Sequence, residues 1–169
     1  MRKGRDQQQD KGIEIHFIVT VRKFKDNIRY ALNIPYETLV SKHSDLLDEG
    51  ADELIRLICG IGTPTAWSNG NAYCGVGNGT DAFDATDTDL QGASKTYKAM
   101  DATYPQLISG QKARWRSTFG SAEGNHAWEE FTVSNTSSGT GKNLMRILSS
   151  KGTKGSGETW ELTIDEEFS

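Results

Sequence analysis

The chain has 169 residues, with 19 Lys and Arg against 23 Asp and Glu, and its formal net charge is −4. This length predicts one domain whose core needs no metal or disulfide. The acidic balance argues against a general nucleic-acid binder, which carries a basic face. No apolar run approaches the roughly 20 residues of a membrane helix, and the first twelve residues lack the apolar segment of a secretory signal. We therefore expect a globular protein that folds in the cytoplasm and contacts neither membrane nor nucleic acid directly.

The chain begins with a polar segment, which is followed by a strongly alternating one. The polar composition of residues 1–12 favours a flexible arm. Its basic residues, which precede and flank a glutamine run, include Arg2, Lys3 and Arg5. The next segment has the period of two that is typical of a β-strand. Its apolar residues at alternate positions are Ile13, Ile15, Phe17, Val19 and Val21. We interpret residues 1–24 as an N-terminal arm and strand, and residues 25–169 as a single β-rich domain that contains one helix.

One segment, at about residues 45–59, has the pattern of an α-helix. Ser44 is a suitable N-cap, acidic residues occupy the first turns, and Gly60 is a suitable C-cap. Gly50 lowers the helix propensity of this segment. The apolar face is predicted to consist of Leu47, Ala51, Leu54 and Ile58, joined by Leu46, Ile55 and Leu57.

The remaining sequence has the pattern of short strands separated by turns rich in Gly, Ser, Thr and Asn. We predict strands at 72–76, 95–101, 112–119, 127–134, 144–149 and 159–168, with a further short strand after Pro35. The fold class is therefore mainly β: an antiparallel β-sandwich or a barrel-like domain, with one α-helix and an extended N-terminal arm.

The stretch "CGVGNGTDAFDATDTDLQG", residues 74–92, is the strongest candidate for a ligand-binding loop. Its glycines are Gly75, Gly77 and Gly79, and its aspartates are Asp81, Asp84, Asp87 and Asp89. A phosphate loop leads into a helix and lacks repelling carboxylates, and a calcium-binding EF-hand has a fixed ladder of ligands that is absent here. We interpret the glycines as residues that permit positive φ in turns. The aspartates are interpreted as a solvated turn, with cation binding by residues 81–89 left open.

No other set of side chains forms a recognised catalytic, cofactor or metal pattern. The histidines are His16, His43 and His126, and the cysteines are Cys59 and Cys74. They share no ligand spacing and no local signature of thiol catalysis, so we expect ordinary histidines and reduced thiols. Glu129 and Glu130 point to opposite faces of a strand and are expected to be solvated, like the acidic C-terminus. The prediction is a protein that is not an enzyme and has no cofactor and no metal.

The strands also carry aromatic and basic residues that could contact a partner. Trp115, Trp128 and Trp160 each lie in a predicted strand, which favours a core or a subunit interface. Arg114 and Arg116 flank Trp115 and are interpreted as members of cross-strand ion pairs.

Several motifs occur in a characteristic order. They are "NAYCGVGNG" (Asn71–Gly79), "TDLQG" (Thr88–Gly92), "MDATYPQ" (Met100–Gln106), "TFGSAEG" (Thr118–Gly124), "AWE" (Ala127–Glu129) and "GTKGSGETW" (Gly152–Trp160). This order, over about residues 45–169, resembles that of small virion structural proteins of tailed bacteriophages. The motifs lie at turns and strand ends, so the resemblance implies that residues 74–92 form a glycine turn and a long exposed loop.

The resemblance implies a non-enzymatic structural protein, most simply a decoration or cement protein on the outer capsid surface. Such a protein would be made in the host bacterial cytoplasm, bind the major capsid protein and associate with itself as a homotrimer. The Ile13–Val21 strand is expected to pair with a neighbour by strand addition. The basic arm is expected either to reach an acidic capsid surface or to be a plain disordered tail. The alternatives are a tail, neck or fibre component, a carbohydrate- or receptor-binding β-module and, with least support, a hydrolase whose site is assembled in space.

Overall fold

The computed structural model describes residues 12–169, so Arg2, Lys3 and Arg5 lie outside the described residues. In chain order the elements are β1 (Ile15–Phe24), α1 (Asn27–Ala31), β2 (Glu37–His43), α2 (Asp48–Cys59), β3 (Tyr73–Gly77), β4 (Lys95–Ala99), β5 (Gln106–Ser109), β6 (Lys112–Phe119), β7 (Glu130–Ser134), β8 (Ile147–Leu148) and β9 (Thr159–Phe168).

The strands form two antiparallel sheets. One has five strands in the order β2-β1-β9-β6-β5, and the other has four in the order β4-β3-β7-β8. Residues from both sheets form one buried apolar cluster, as in a sandwich of two sheets. The predicted mainly β fold is confirmed.

Alternation along β1, β6 and β9 builds the side of the core that the five-stranded sheet supplies. Val19 lies opposite Ile164 and Val21 lies opposite Leu162, and all four side chains are buried. Of the predicted tryptophan roles, the core is the one observed: Trp128 packs edge-on against Phe119 and Trp160, with ring centroids 4.8 and 4.9 Å apart. Trp115 is also buried.

The position of β1 corrects the predicted N-terminal unit. β1 pairs with β2 along one edge and with β9 along the other. It is therefore an interior strand of the five-stranded sheet, and a boundary at residue 24 would cut through that sheet. Because neither edge of β1 is open, the predicted strand addition by residues 13–21 is wrong for this fold.

Helix α2 was predicted correctly in position but not in orientation. It begins at Asp48, with Leu47 rather than Ser44 as the N-cap, and it ends at the predicted Gly60, which has a φ of 64°. The predicted apolar face is wrong at its C-terminal end, because Ile55 and Ile58 are 59% and 82% exposed.

Polar anchors explain the orientation of α2. The Glu53 carboxylate accepts a hydrogen bond from the Thr65 N–H at 2.6 Å, and the Glu49 carboxylate accepts one from the Asn143 N–H at 2.7 Å. Gly50 lies so close to the Leu144 backbone that a Cβ would collide with its carbonyl group. The helix face that carries Glu49, Gly50 and Glu53 therefore faces the rest of the protein, and Ile55 and Ile58 face solvent.

Candidate functional site

The glycines at positions 75, 77 and 79 allow neighbouring side chains to approach the backbone closely; they do not adopt unusual backbone angles. None of Gly75, Gly77 and Gly79 has a positive φ. A Cβ on Gly75 would lie 2.6 Å from the Thr132 side chain, and one on Gly79 would lie 2.6 Å from a carboxylate oxygen of Glu130. Both distances are too short for carbon, so the predicted positive-φ role is wrong and close approach is the reason for glycine.

The group that occupies this space is the Glu130 carboxylate. Its Oε1 accepts hydrogen bonds from the N–H groups of Gly79 at 3.0 Å and Gly92 at 2.7 Å. Its Oε2 accepts from the Gln91 N–H at 2.9 Å and from Arg146 Nε at 2.8 Å. The Glu130 and Arg146 side chains are both fully buried. The predicted solvated position of Glu130 is wrong, because both ends of the loop donate to this carboxylate.

Arg146 holds the middle of the same loop. Its guanidinium donates to Asp87 Oδ2 at 3.0 Å and to the carbonyl oxygens of Ala82 and Asp81 at 3.3 and 3.1 Å. Since Glu130 and Asp87 both contact the guanidinium, its buried charge is compensated. Residues 78–92 are thus folded around an internal ion pair.

The carboxylates of two further aspartates of the loop, Asp84 and Asp89, also have protein partners. Asp84 accepts hydrogen bonds from the Thr86 N–H at 2.9 Å and hydroxyl at 2.7 Å, which lower the pKa of its carboxyl. Asp89 accepts from Lys95 Nζ at 2.6 Å and from the Tyr97 hydroxyl. Within residues 12–169, no group of three or more His, Cys, Asp or Glu is placed to hold a metal ion. The loop binds groups of its own chain where a phosphate or calcium loop would bind a ligand.

The predicted interface residues of the N-terminal strand do not form one surface. Phe17, Val19 and Val21 are completely buried in the core, so they are not available to a partner, and that prediction is wrong for them. Ile15 is partly buried, and Ile13, which precedes β1, is 81% exposed.

An apolar groove lies beside Ile15, between α2 and the end of the five-stranded sheet. Its volume is about 300 Å³, and it is lined by Ile15, Leu46, Ala51, Leu54, Ile55, Ile58 and Phe168. Exposed apolar surface of this kind is typical of contact sites. The sequence pattern did not reveal this groove, because it placed Ile55 and Ile58 in the core.

The outer face of the five-stranded sheet carries a polar groove of about 220 Å³, lined by Thr20, Arg22, Tyr104, Arg114, Arg116, Glu161 and Thr163. Arg114 donates two hydrogen bonds to Asp165, its cross-strand partner, at 2.6 and 2.7 Å, and Asp165 raises the pKa of this guanidinium. The predicted cross-strand ion pair is thereby confirmed for Arg114. The Arg116 guanidinium lies 4.3 Å from the centroid of the Tyr104 ring. The three arginines of the lining are each ion-paired, Arg22 to Glu161, Arg114 to Asp165 and Arg116 to Asp101. Paired charges suit a neutral polar ligand better than an ion.

The histidines and cysteines have separate surroundings. His16 hydrogen-bonds to the Ser44 hydroxyl at 2.9 Å, and His126 to the Thr96 hydroxyl at 3.1 Å. Both cysteines are free: Cys59 is exposed, and burial raises the pKa of the Cys74 thiol to about 12. A protonated, enclosed thiol is a poor nucleophile.

Comparison with known proteins identifies no relative. No family model matches the chain, and neither a curated protein nor a solved structure matches it. Among the described residues, no helix is long and apolar enough to cross a membrane.

Proposed function

We propose that this chain is a non-enzymatic structural protein of a tailed-phage particle, most simply a decoration or cement protein. In this proposal it is made in the bacterial cytoplasm, binds the major capsid protein on the outer face of the shell and associates with itself. Binding to the assembled shell stabilises that shell by mass action. Many modest contacts add through their high effective concentration.

One observation carries the proposal: two motifs of the resemblance contain the loop residues Gly79, Gln91 and Gly92, whose N–H groups donate to the buried Glu130 carboxylate. Gly79 closes the first motif and Gly92 closes the second, and both donate to Glu130, which directly follows "AWE". Residues that hold a long loop in one shape are expected to keep their order in a family of structural proteins. The motif order is therefore supported by a physical reason that does not involve catalysis.

Exposed apolar surface gives further support. Besides the groove beside α2, a second apolar group lies in the segment that contains α1 and β2. Its exposed members are Ile28, Leu32, Ile34, Tyr36 and Val40. A chain with two such surfaces is suited to contacts with other proteins.

The proposal is tested by measuring the copy number of the chain in purified particles, by quantitative mass spectrometry against the major capsid protein. A simple ratio to the capsid protein, set by the symmetry of the shell, supports the decoration role. A copy number far below that ratio favours the tail, neck or fibre alternative. Absence of the chain from particles overturns the virion proposal.

The polar groove of the outer sheet face favours a second candidate, a carbohydrate- or receptor-binding module. An aromatic ring beside balanced donors and acceptors, as Tyr104 is beside Arg116 and Glu161, suits a neutral ligand with many hydroxyl groups. Binding of the isolated chain to a glycan array, abolished by Tyr104→Ala but kept by Tyr73→Ala, supports this candidate. An array without signal rejects it.

A further inference from the structure

The two sheets have four edge strands, and only β2 is both long and regular. β8 has two residues. β5 has four and is interrupted by a register shift between Leu107 and Ser109. β4 has five, of which Lys95 and Lys98 are charged. β2 has seven residues in unbroken register with β1. Proteins blunt edge strands by shortness, bulges and lysines. β2 carries one lysine, Lys42, but it is neither short nor bulged, so these devices are weakest at this edge.

The outer edge of β2 carries backbone groups without partners in the described chain. Glu14 and Ser169 exchange two hydrogen bonds beside the β1–β9 ladder, so even-numbered residues of β1 face β9 and odd-numbered ones face β2. Odd-numbered residues of β2 therefore bond to β1. The N–H and C=O groups that point outwards belong to Thr38, Val40 and Lys42. Apart from the β1 ladder, no backbone hydrogen bond joins Glu37–His43 to any described residue.

A second copy of this strand fits the open edge. Antiparallel pairing about a twofold axis at Val40 forms three pairs of outward-facing residues. Val40 of one copy pairs with Val40 of the other, and Thr38 of each copy pairs with Lys42 of the other. In this register each of the three pairs exchanges two hydrogen bonds. The flanking pairs set Glu37 opposite His43; within one chain these two side chains already contact Lys23 and Asp45, respectively.

We propose that two copies of this chain associate through β2, which joins their five-stranded sheets into one sheet across a twofold axis. Val40 is 62% exposed and forms the centre of the contact. The polar composition of residues 1–11 offers no apolar segment that would cover this surface instead. Strand addition is thereby assigned to β2, since both edges of β1 are occupied.

The inference deepens one part of the proposed function, the self-association of the chain, and it rests on that part alone. A twofold contact gives a dimer, whereas the resemblance implies a homotrimer. The isolated chain distinguishes the two, independently of whether the chain is found in phage particles.

The test is the mass of the full-length chain by sedimentation equilibrium, together with hydrogen exchange resolved by residue. Two copies are expected, with the amides of Thr38, Val40 and Lys42 protected more strongly as protein concentration rises. The amides of the odd-numbered residues should be protected at all concentrations. A monomer at all concentrations, a trimer, or fast exchange at the three even-numbered positions in the dimer would each overturn the proposal.

Charge variants at the twofold axis provide the control for specificity. Val40→Lys and Val40→Glu each place like charges opposite each other, so each is expected to raise the dimer dissociation constant about tenfold or more. Mixing the two variants places opposite charges together and should restore the dimer, which a folding defect would not do. Leu107→Lys, a change at an apolar residue of β5 that is 75% exposed, should leave the dimer unchanged. Failure of the mixture to associate while both variants are folded would refute the register.

Discussion

Glu166 predicts an unusual dependence of stability on pH. It shares the inner face of β9 with Ile164, lies opposite Phe17 of β1 and Ala113 of β6, and is 5% exposed. Its Oε1 atom has no hydrogen-bond partner among the described residues. Burial raises the pKa of this carboxyl from 4.5 to about 7, because the charged form loses its hydration without gaining a partner.

The sign and size of the effect follow from that pKa. The folded state binds the Glu166 proton more tightly than the unfolded state does. The stabilisation that this proton provides is therefore complete below pH 4.5 and is lost as pH rises through about 7. A shift of this size is worth about 3 kcal/mol at roughly 1.4 kcal/mol per unit. Glu166→Gln keeps the shape of the protonated acid but does not titrate.

The measurement is the free energy of unfolding in urea, for the wild type and Glu166→Gln, from pH 4.5 to about pH 8. We expect the variant to gain about 3 kcal/mol relative to the wild type over this range, because only the wild type must bury a carboxylate at high pH. Other titrating groups cancel in the difference. Glu167→Gln, at the neighbouring position, where the carboxylate lies 3.3 Å from Lys112 Nζ, is the matched control and should show no such gain.

A difference between wild type and Glu166→Gln that stays constant with pH would refute this reasoning. It would mean that the carboxylate at position 166 is solvated or paired in the folded chain. A difference that changes in the opposite direction would require a cation beside Glu166.

Three other predictions test the packing. In an ordinary helix, replacing glycine by alanine stabilises by about 1 kcal/mol. Gly50→Ala should instead lower the free energy of unfolding by about 2 kcal/mol, because the added Cβ collides with a backbone carbonyl. A gain in stability would contradict the close contact. Glu130→Gln should lower the free energy of unfolding in urea by about 3 kcal/mol, because an amide cannot accept all the buried hydrogen bonds that the carboxylate accepts, and one of the two carboxylates on the Arg146 guanidinium is lost. Glu129→Gln should change it by less than about 0.5 kcal/mol; equal effects would place Glu130 at the surface. A thiol reagent followed by mass spectrometry should modify Cys59 in the folded protein and Cys74 only after denaturation, and equal labelling would contradict the burial of Cys74.

The sequence predicted the long strands well because apolar and polar residues alternate along them. The bounds of β6 and β9 were predicted residue for residue, as Lys112–Phe119 and Thr159–Phe168. Elements that depend on one neighbour were not predicted as well. α1 has five residues and buries none of them, and β5 exposes most of its residues. Such segments lack a buried face, so periodicity cannot reveal them.

The loop support was not predictable from local pattern, because its partners are far apart in the chain. Glu130 lies 51 residues after Gly79 and 16 before Arg146. In isolation "WEEF" resembles a pair of solvated acids. One local signal pointed the other way: Glu130 begins β7, whose five residues are all buried, and the sequence that follows it, "FTV", is uncharged and consists of aromatic and β-branched residues. A charged residue at the start of such a run is a candidate for a buried ion pair.

The same reasoning explains why the strongest strand pattern pointed to the wrong interface. A long alternating strand buries most apolar surface when neighbours cover both of its edges, so β1 lies inside its sheet. The open edge belongs to β2. Its alternation of polar and apolar residues is weaker, because an apolar residue, Val40, is exposed on the outer face. A strand that is available to a partner is therefore expected to expose an apolar residue that only the partner would cover. The Val40 variants test this relation directly, since they alter the outer edge and leave the core of β1 intact.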